Sequence, residues 1–333
     1  MRIAVDAMGG DYAPLEIVKG AVEAAHQHGI SVTLVGHRSR IEAELAKYPS
    51  AGAKVEVVHA SEAIAMDDSP TNAVRRKDSS LVVAANLVNS GEAQAMVSAG
   101  NTGAAMAVAT LKLGRIPGIE RPAIASMIPS AKCRVVLLDA GANVDCDVHN
   151  LLQFAMMGAT YAERVFGVSE PRVGLLSIGE EPSKGDKLTK GANLRLSESD
   201  LNFIGNVEGK EIFRGAADVV VCDGFAGNIT LKVTEGVAEF LVAVLKEEVE
   251  RSILARLGVL LMGPALRRAR VYLDYAEYGG APLLGTNGIC TISHGRSSAR
   301  AIRNAIRAAA SAVESDVVGC ITAAVRQKEL VAG

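Results

Sequence analysis

Apolar runs of strand length alternate with amphipathic stretches from one end of the chain to the other. The runs at 2–6, 31–35, 54–59, 95–98, 122–128, 134–139, 172–178, 203–207 and 218–222 are rich in valine and isoleucine and often continuous. Continuous runs of this length predict strands covered on both faces. Between them, stretches at 14–28, 71–89, 102–113, 147–165, 231–257 and 297–328 have helical character. The alternation predicts an α/β fold: a doubly wound, mainly parallel sheet flanked by helices, in a single domain over 1–333. The polar stretch 182–196 (PSKGDKLTKGANLRL) predicts a mobile loop or a lobe boundary.

One segment departs from the pattern. After Lys246, the apolar residues Val249, Ile253, Leu254 and Leu257 recur at helical spacing, followed by the apolar run 258–264. Gly263-Pro264 is expected to end that helix. A short return helix over 265–275 would carry Arg267, Arg268 and Arg270. The expectation is a protruding helical hairpin over about 246–275 with Val259, Leu260, Leu261 and Met262 at its tip. Such a tip packs against a dimer partner or the core, or it is a shallow membrane anchor with arginines meeting anionic headgroups.

Composition narrows the classes. The chain has 333 residues, 49% of them hydrophobic, with no apolar run long enough to span a bilayer. Asp6 interrupts any would-be signal core. The net charge of -2, with no basic tail or block, gives no support to nucleic-acid binding. Cys133, Cys146, Cys222, Cys290 and Cys320 are scattered without a CxxC, as expected of reduced thiols in a cytosolic protein.

In doubly wound sheets, ligands sit beyond the carboxyl ends of the strands. The loops there share one grammar, glycine beside a small polar or acidic group. They contain Asp6, Gly9 and Gly10; Ser98, Gly100, Asn101, Thr102 and Gly103; Asp139, Gly141 and Asn143; Lys184 and Gly185; Asn206 and Glu208; and Asp223, Gly224, Gly227 and Asn228, with Lys232 following. Glycine lets the backbone approach a ligand, and a helix start offers free N–H groups to an anion. Asn101 or Thr102 is also placed to cap a helix. Before the last helix, Ser297 is a plausible N-cap, and His294 with Arg296 would face an anion or a transferred proton.

The usual signatures are missing: no G-x-G-x-x-G, no G-x-x-x-x-G-K-[ST], no G-x-S-x-G and no H-E-x-x-H. Neither a cofactor nor a metal is therefore expected. Asp6, Asp11, Asp139, Glu208 and Asp223 are carboxylates able in principle to ligate Mg²⁺, but such residues more often hold loop amides. A phosphate is expected to bind by loop amides, with Lys184, Asn228 or Lys232 stabilising developing charge and Asp223 or His294 accepting a proton.

The segments VDAMGGD (5–11), VSAGNTGA (97–104), RPAIA (121–125), LLDAGAN (137–143), GLLSIGEEPSKG (174–185), NFIGNVEG (202–209), DVVVCDGFAGNITLK (218–232), GGAPLLG (279–285) and SHGRS (293–297) run through the whole chain. Together they resemble the bacterial phosphate acyltransferases of the PlsX type. Ser177 and Cys290 read as variation outside the reactive loops. The resemblance implies a fold like that of phosphate acetyl- and butyryltransferases and isocitrate dehydrogenases. It implies transfer of an acyl group from acyl carrier protein (ACP) to inorganic phosphate, giving acyl phosphate without a cofactor. The product would feed a membrane acyl phosphate:glycerol-3-phosphate acyltransferase that opens phospholipid synthesis. It also implies a homodimer on the cytoplasmic face of an anionic membrane. The alternatives are a phosphate acetyl- or butyryltransferase-like enzyme using acyl-CoA, an isocitrate-dehydrogenase-like oxidoreductase, and a non-catalytic lipid- or phosphate-binding module.

Overall fold

The computed structural model describes residues 1–48, 54–132, 134–273, 277 and 279–332. Cys133 and positions 274–275 of the expected return helix lie outside them, as do the side chains of Arg267 and Arg270.

The strands are β1 (Arg2–Asp6), β2 (Ser31–Gly36), β3 (Val55–His59), β4 (Ala95–Ser98), β5 (Ala123–Ile124), β6 (Ser126–Pro129), β7 (Arg134–Leu138), β8 (Val173–Leu176), β9 (Phe203–Val207), β10 (Val219–Val221), β11 (Ala281–Leu284) and β12 (Ile289–Ile292). The helices are α1 (Leu15–His28), α2 (Arg38–Leu45), α3 (Pro70–Arg75), α4 (Ser80–Asn89), α5 (Thr102–Lys112), α6 (Val148–Phe166), α7 (Lys187–Ser197), α8 (Gly209–Arg214), α9 (Gly224–Glu250), α10 (Ile253–Leu273), α11 (Ala299–Glu314) and α12 (Val317–Ala332).

The strands form two sheets. One has seven strands in the order β3-β2-β1-β4-β12-β11-β5, and the other five in the order β6-β7-β10-β8-β9. Most neighbours are parallel; β11 runs against both β12 and β5, and β6 runs against β7. The expected strand at 122–128 is thus two strands, one in each sheet. The chain crosses at Ala125, whose N–H still donates to Pro282 O at 2.9 Å. β11 and β12 are short and were not expected; Pro282 and the flanking glycines hide their pattern.

Helices cover both faces of the central strands. On the larger sheet, α1 and α11 cross at Gly20, where a β-carbon would fall 2.5 Å from Ala299 O and 2.7 Å from the Ile302 Cβ. Only glycine permits that approach. On its other face Leu81 and Val82 of α4 meet Ala104, Ala105 and Val108 of α5. In the smaller sheet α6 lies against Val219, Val136 and Leu138, with Phe154 fully buried between helix and sheet.

Several helices differ from expectation. The stretch 182–196 is largely α7, started by Asp186, whose Oδ1 accepts the Thr189 N–H at 2.7 Å. The stretches at 71–89 and 297–328 each break into two helices. The helix read as beginning at 231 begins at Gly224, so Asn228 lies on α9 rather than in a loop, one turn before Lys232 on the same helix. Pro264 does not end a helix but sits within α10. The turn between α9 and α10 comes earlier, at Arg251-Ser252. There Arg251 reaches Glu247 and Glu248, each at 2.5 Å, and Ser252 Oγ accepts the Ala255 N–H at 3.3 Å as a cap. Val259–Met262 are therefore midway along α10, not at a tip. Among the described residues no single helix is long and apolar enough to cross a membrane.

Candidate active site

The first sheet brings three glycine loops together. Asp6 and Ser98 are register partners at the ends of β1 and β4. Asp6 is buried; its Oδ2 accepts from Ser98 Oγ at 2.8 Å and its Oδ1 from the Met8 N–H at 3.2 Å. Burial pushes its carboxyl above the ordinary carboxylate range, against the pull of those donors. Gly9 packs on Gly100 so closely that a β-carbon would lie 2.6 Å from Asp6 Oδ2 and 2.8 Å from Gly100 N. Gly10 has a φ of +98° beside Ala99 O and Gly295 O. The Asp11 N–H donates to Gly295 O and the Ser293 N–H to Ser98 O, at 2.9 and 2.8 Å, which joins the 293–297 loop to the other two.

His294 is exposed at this junction, its Nδ1 accepting the Arg296 N–H at 3.3 Å. Ser297 is not the cap of α11. Its N–H turns back to His294 O, its hydroxyl lies 3.0 Å from that of Ser293, and Ser298 caps one residue later. Asn101 caps α5 by accepting the Ala104 N–H, and its amide donates to Met66 O and Asp68 O at 2.7 and 3.0 Å. That side chain clamps the 65–69 segment beside the crevice. Thr102 is exposed on the first turn of α5, and Gly103 sits against Pro70.

The second crevice lies at the ends of β7 and β10 and is organised by Asp139. Its two oxygens accept from the backbone of Ile124, Gly141, Ala142 and Asn143 and from the Asn143 amide, at 2.6 to 3.2 Å. Burial raises its carboxyl too. Asn143 O accepts the Gly224 N–H at 2.7 Å. At Gly224 a β-carbon would fall 2.6 Å from Asn143 O, and at Gly227 it would overlap the Asp139 carbonyl oxygen. The two glycines thus let α9 start directly against the 139–143 loop. Asp223 caps it, Oδ1 accepting the Ala226 N–H at 2.8 Å, and Asn228 faces Gly141 one turn on. Cys222 and Cys146 lie beside this loop; burial raises both thiols, Cys146 to about 11, so neither is a ready nucleophile.

The other sequence-predicted residues separate from these. Lys232 is paired with Glu235 at 2.8 Å. Asn206 is buried, donating to Glu181 O and accepting from the Asn193 amide, which makes it a brace between β9, α7 and the 177–186 loop. Glu208 pairs with Lys210, whose ammonium pKa it raises. Lys184 is exposed on the braced loop, with no carboxylate partner among the described residues. Among the described residues no group of three His, Cys, Asp or Glu could hold a metal ion.

The second crevice adjoins the first sheet, since Ala140, Ala142 and Leu231 pack with Ala104, Ala105 and Leu283. Between the sheets opens a cleft of about 280 Å³, lined in part by Arg115, Arg121 and Asn143. Sequence reasoning gave the arginines no role; it placed Asp139 in a ligand loop as an acid that more often holds loop amides than a metal, and loop amides are what it holds. Their signal was Arg121 within RPAIA and an acidic residue closing an apolar strand.

The profile of the family described as "fatty acid synthesis protein" matches residues 1–319. A phosphate acyltransferase of Pelotomaculum thermopropionicum is 53% identical over 331 residues, covering 99% of this chain and 96% of that protein. One from Heliobacterium modesticaldum is 55% identical over 324 residues, 96% of each. A phosphotransacetylase from Streptococcus pyogenes superposes with a TM-score of 0.62 at 19% identity, covering 94% of both chains, a likeness of fold.

Proposed function

The chain belongs to the phosphate acyltransferase family of fatty acid synthesis proteins, and from that premise we propose that it transfers a long-chain acyl group from acyl-ACP to inorganic phosphate. The observation that carries the reading is the start of α9, set against the Asp139-organised loop and capped by Asp223. Of its first-turn amides, those of Gly224, Ala226 and Gly227 have protein acceptors, while that of Phe225 has none among the described residues. This N–H and the helix dipole suit an anion. In the reaction a phosphate oxygen attacks the thioester carbon, the C–S bond breaks and the thiolate leaves with ACP. Phosphate gives up a proton to Asp223, and the Asn228 amide stabilises the developing oxyanion. Holding both reactants together supplies much of the acceleration. No cofactor takes part in this scheme.

The test mixes the protein with palmitoyl-ACP and phosphate and traps acyl phosphate with hydroxylamine. Acyl hydroxamate is expected with the ACP donor. A faster parallel reaction with acyl-CoA would move the assignment to an acyl-CoA phosphotransacylase.

We further propose a homodimer at the cytoplasmic face of the membrane, passing acyl phosphate to a membrane acyltransferase that acylates glycerol 3-phosphate. On α9 only Gly224 and Gly227 are buried, and Phe225, Ile229, Val233, Val237 and Phe240 are exposed apolar residues, in position for a second copy. On α10 Ile253, Leu254, Leu257, Leu260 and Leu261 are more than half exposed. With the turn at Arg251-Ser252, the apolar side of α10 rather than a tip would lie in the interface. Vesicles containing anionic lipid should sediment the protein. A folded Leu260→Glu/Leu261→Glu variant that sediments equally would remove α10 from membrane binding.

A further inference from the structure

We propose that the cleft between the two sheets binds the phosphorylated end of a pantetheine arm, with Arg115 and Arg121 gripping its phosphoryl group. This deepens the proposed acyl transfer and rests on it for the identity of the donor.

The two guanidiniums are placed by the backbone. Arg115 pairs with Thr286 in an isolated antiparallel bridge, and the next N–H, of Ile116, donates to Gly285 O at 3.0 Å. Each side chain is then anchored through a single nitrogen: Arg115 Nη1 donates to Glu120 O, and Arg121 Nη1 to Asp145 O at 2.9 Å. Neither forms an ion pair among the described residues. The acid in the cleft, Glu120, is turned to α6, its Oε2 accepting from the Asn150 amide at 3.0 Å and its Oε1 4.0 Å from His149. Two guanidiniums keep free N–H donors beside one opening. The fork of donors on arginine fits the oxygens of a phosphoryl group.

The remaining walls argue for a tethered phosphate rather than the bare ion. Met106, Pro122 and Leu283 make one side apolar, and Thr110 adds a hydroxyl. Apolar walls with few polar groups suit an organic ligand, and about 280 Å³ lies near the lower end for small ligands. The cleft also leads to the proposed chemistry. Asn143 lines it, donates its amide to Pro122 O at 2.8 Å, and holds the Gly224 N–H at the start of α9. An arm anchored at the arginines would run along Asn143, bringing its sulfur end towards Asp223 and Asn228.

Calorimetric titration of the full chain with 4′-phosphopantetheine, pantetheine and inorganic phosphate tests this. 4′-Phosphopantetheine is expected to bind roughly 10-fold or more tighter than pantetheine. Arg115→Gln and Arg121→Gln should each remove most of that preference, and Arg121→Lys, which keeps the charge without the fork, should restore part of it. Thermal melts check that each variant folds; if a Gln variant does not, Arg121→Lys carries the test, with a partial loss expected. The proposal is overturned by equal binding of the two arms, by no detectable 4′-phosphopantetheine binding at millimolar concentration, or by a preference that survives in every folded variant. Inorganic phosphate binding as tightly as 4′-phosphopantetheine and lost in the same variants would also overturn it, by giving the cleft to the free ion. Acyl phosphate formation is read separately. If no donor yields it while probe binding behaves as expected, the acyl-transfer reading falls and the arm site stands.

Discussion

Asp6 and Asp139 occupy equivalent places, each closing a central strand of its own sheet, each buried and each followed by alanine and a glycine-bearing loop. They are held differently. Asp6 has a hydroxyl partner, Ser98, on the neighbouring strand and the amide of Met8 in its own loop. Asp139 has no hydroxyl partner among the described residues; five N–H donors wrap its two oxygens, and the resulting loop fits tightly under two glycines of α9. The difference separates a carboxylate that links two strands from one that builds a loop against a helix start. The second arrangement sets the Asp223 cap and the Asn228 side chain at the start of a long helix.

The largest effect should come from the glycines. Gly227→Ala puts a β-carbon into the Asp139 carbonyl oxygen, where backbone must move. A loss on the order of 3 kcal/mol or more, or failure to fold, is expected by thermal or urea unfolding. Gly100→Ala in the first crevice meets Ser98 Oγ at 3.3 Å and Gly9 Cα at 3.4 Å. It should cost about 1 kcal/mol or less. Equal losses would mean that the two loops are equally tight.

Turnover should separate the crevices next. Asn228→Ala is expected to lower acyl phosphate formation about 100-fold, the scale of one lost contact to developing charge, with little change in melting temperature. His294→Ala, in the first crevice, should lower it by about 10-fold or less, since its role there is at most to assist binding. The reverse ranking would move the chemistry to the first sheet.

Conservative changes at the acids give a third contrast. Asp139→Asn turns an NH₂ group towards N–H donors and should cost about 3 kcal/mol. Asp6→Asn should cost about 1 kcal/mol, because the Ser98 hydroxyl can rotate to accept as well as donate. Denaturant midpoints of the two variants measure the gap.

How much of this was legible follows the same physics. Central strands such as 2–6 and 95–98 were read to the residue because each is a short apolar run closed by a polar residue, the pattern of a strand covered on both faces. The division into two sheets was not, because it rests on pairing across the crossing at Ala125, which no local pattern records. The glycine-bearing segments read at 6–11, 98–104 and 139–143 do follow strand ends, yet the work of such polar side chains was hidden. Asn101 and Asn206 look like ligand groups in sequence, but they brace neighbouring segments through backbone carbonyls far along the chain. The end of α9 was misread because Pro264 is a conspicuous breaker, while Ser252, a quiet cap, makes the turn.

The smallest expected effect is on pH dependence, and it asks whether the two acids differ in kind or only in partners. Burial raises the folded pKa of both above the ordinary 3.8. Such a carboxyl holds more protons folded than unfolded between the two values. Its contribution to stability is therefore fully present below the unfolded pKa and declines as pH rises through the folded one. Asparagine does not titrate. The stability deficit of Asp6→Asn relative to the unsubstituted protein should then be larger near pH 4 than near pH 7.5, and that of Asp139→Asn should change in the same direction. Melting curves of all three proteins at both pH values read the difference directly. If the Asp139→Asn deficit instead grows towards neutral pH, its five donors outweigh burial and hold it as a carboxylate. Asp139 would then be a fixed negative charge beside the start of α9, opposing the phosphate expected there.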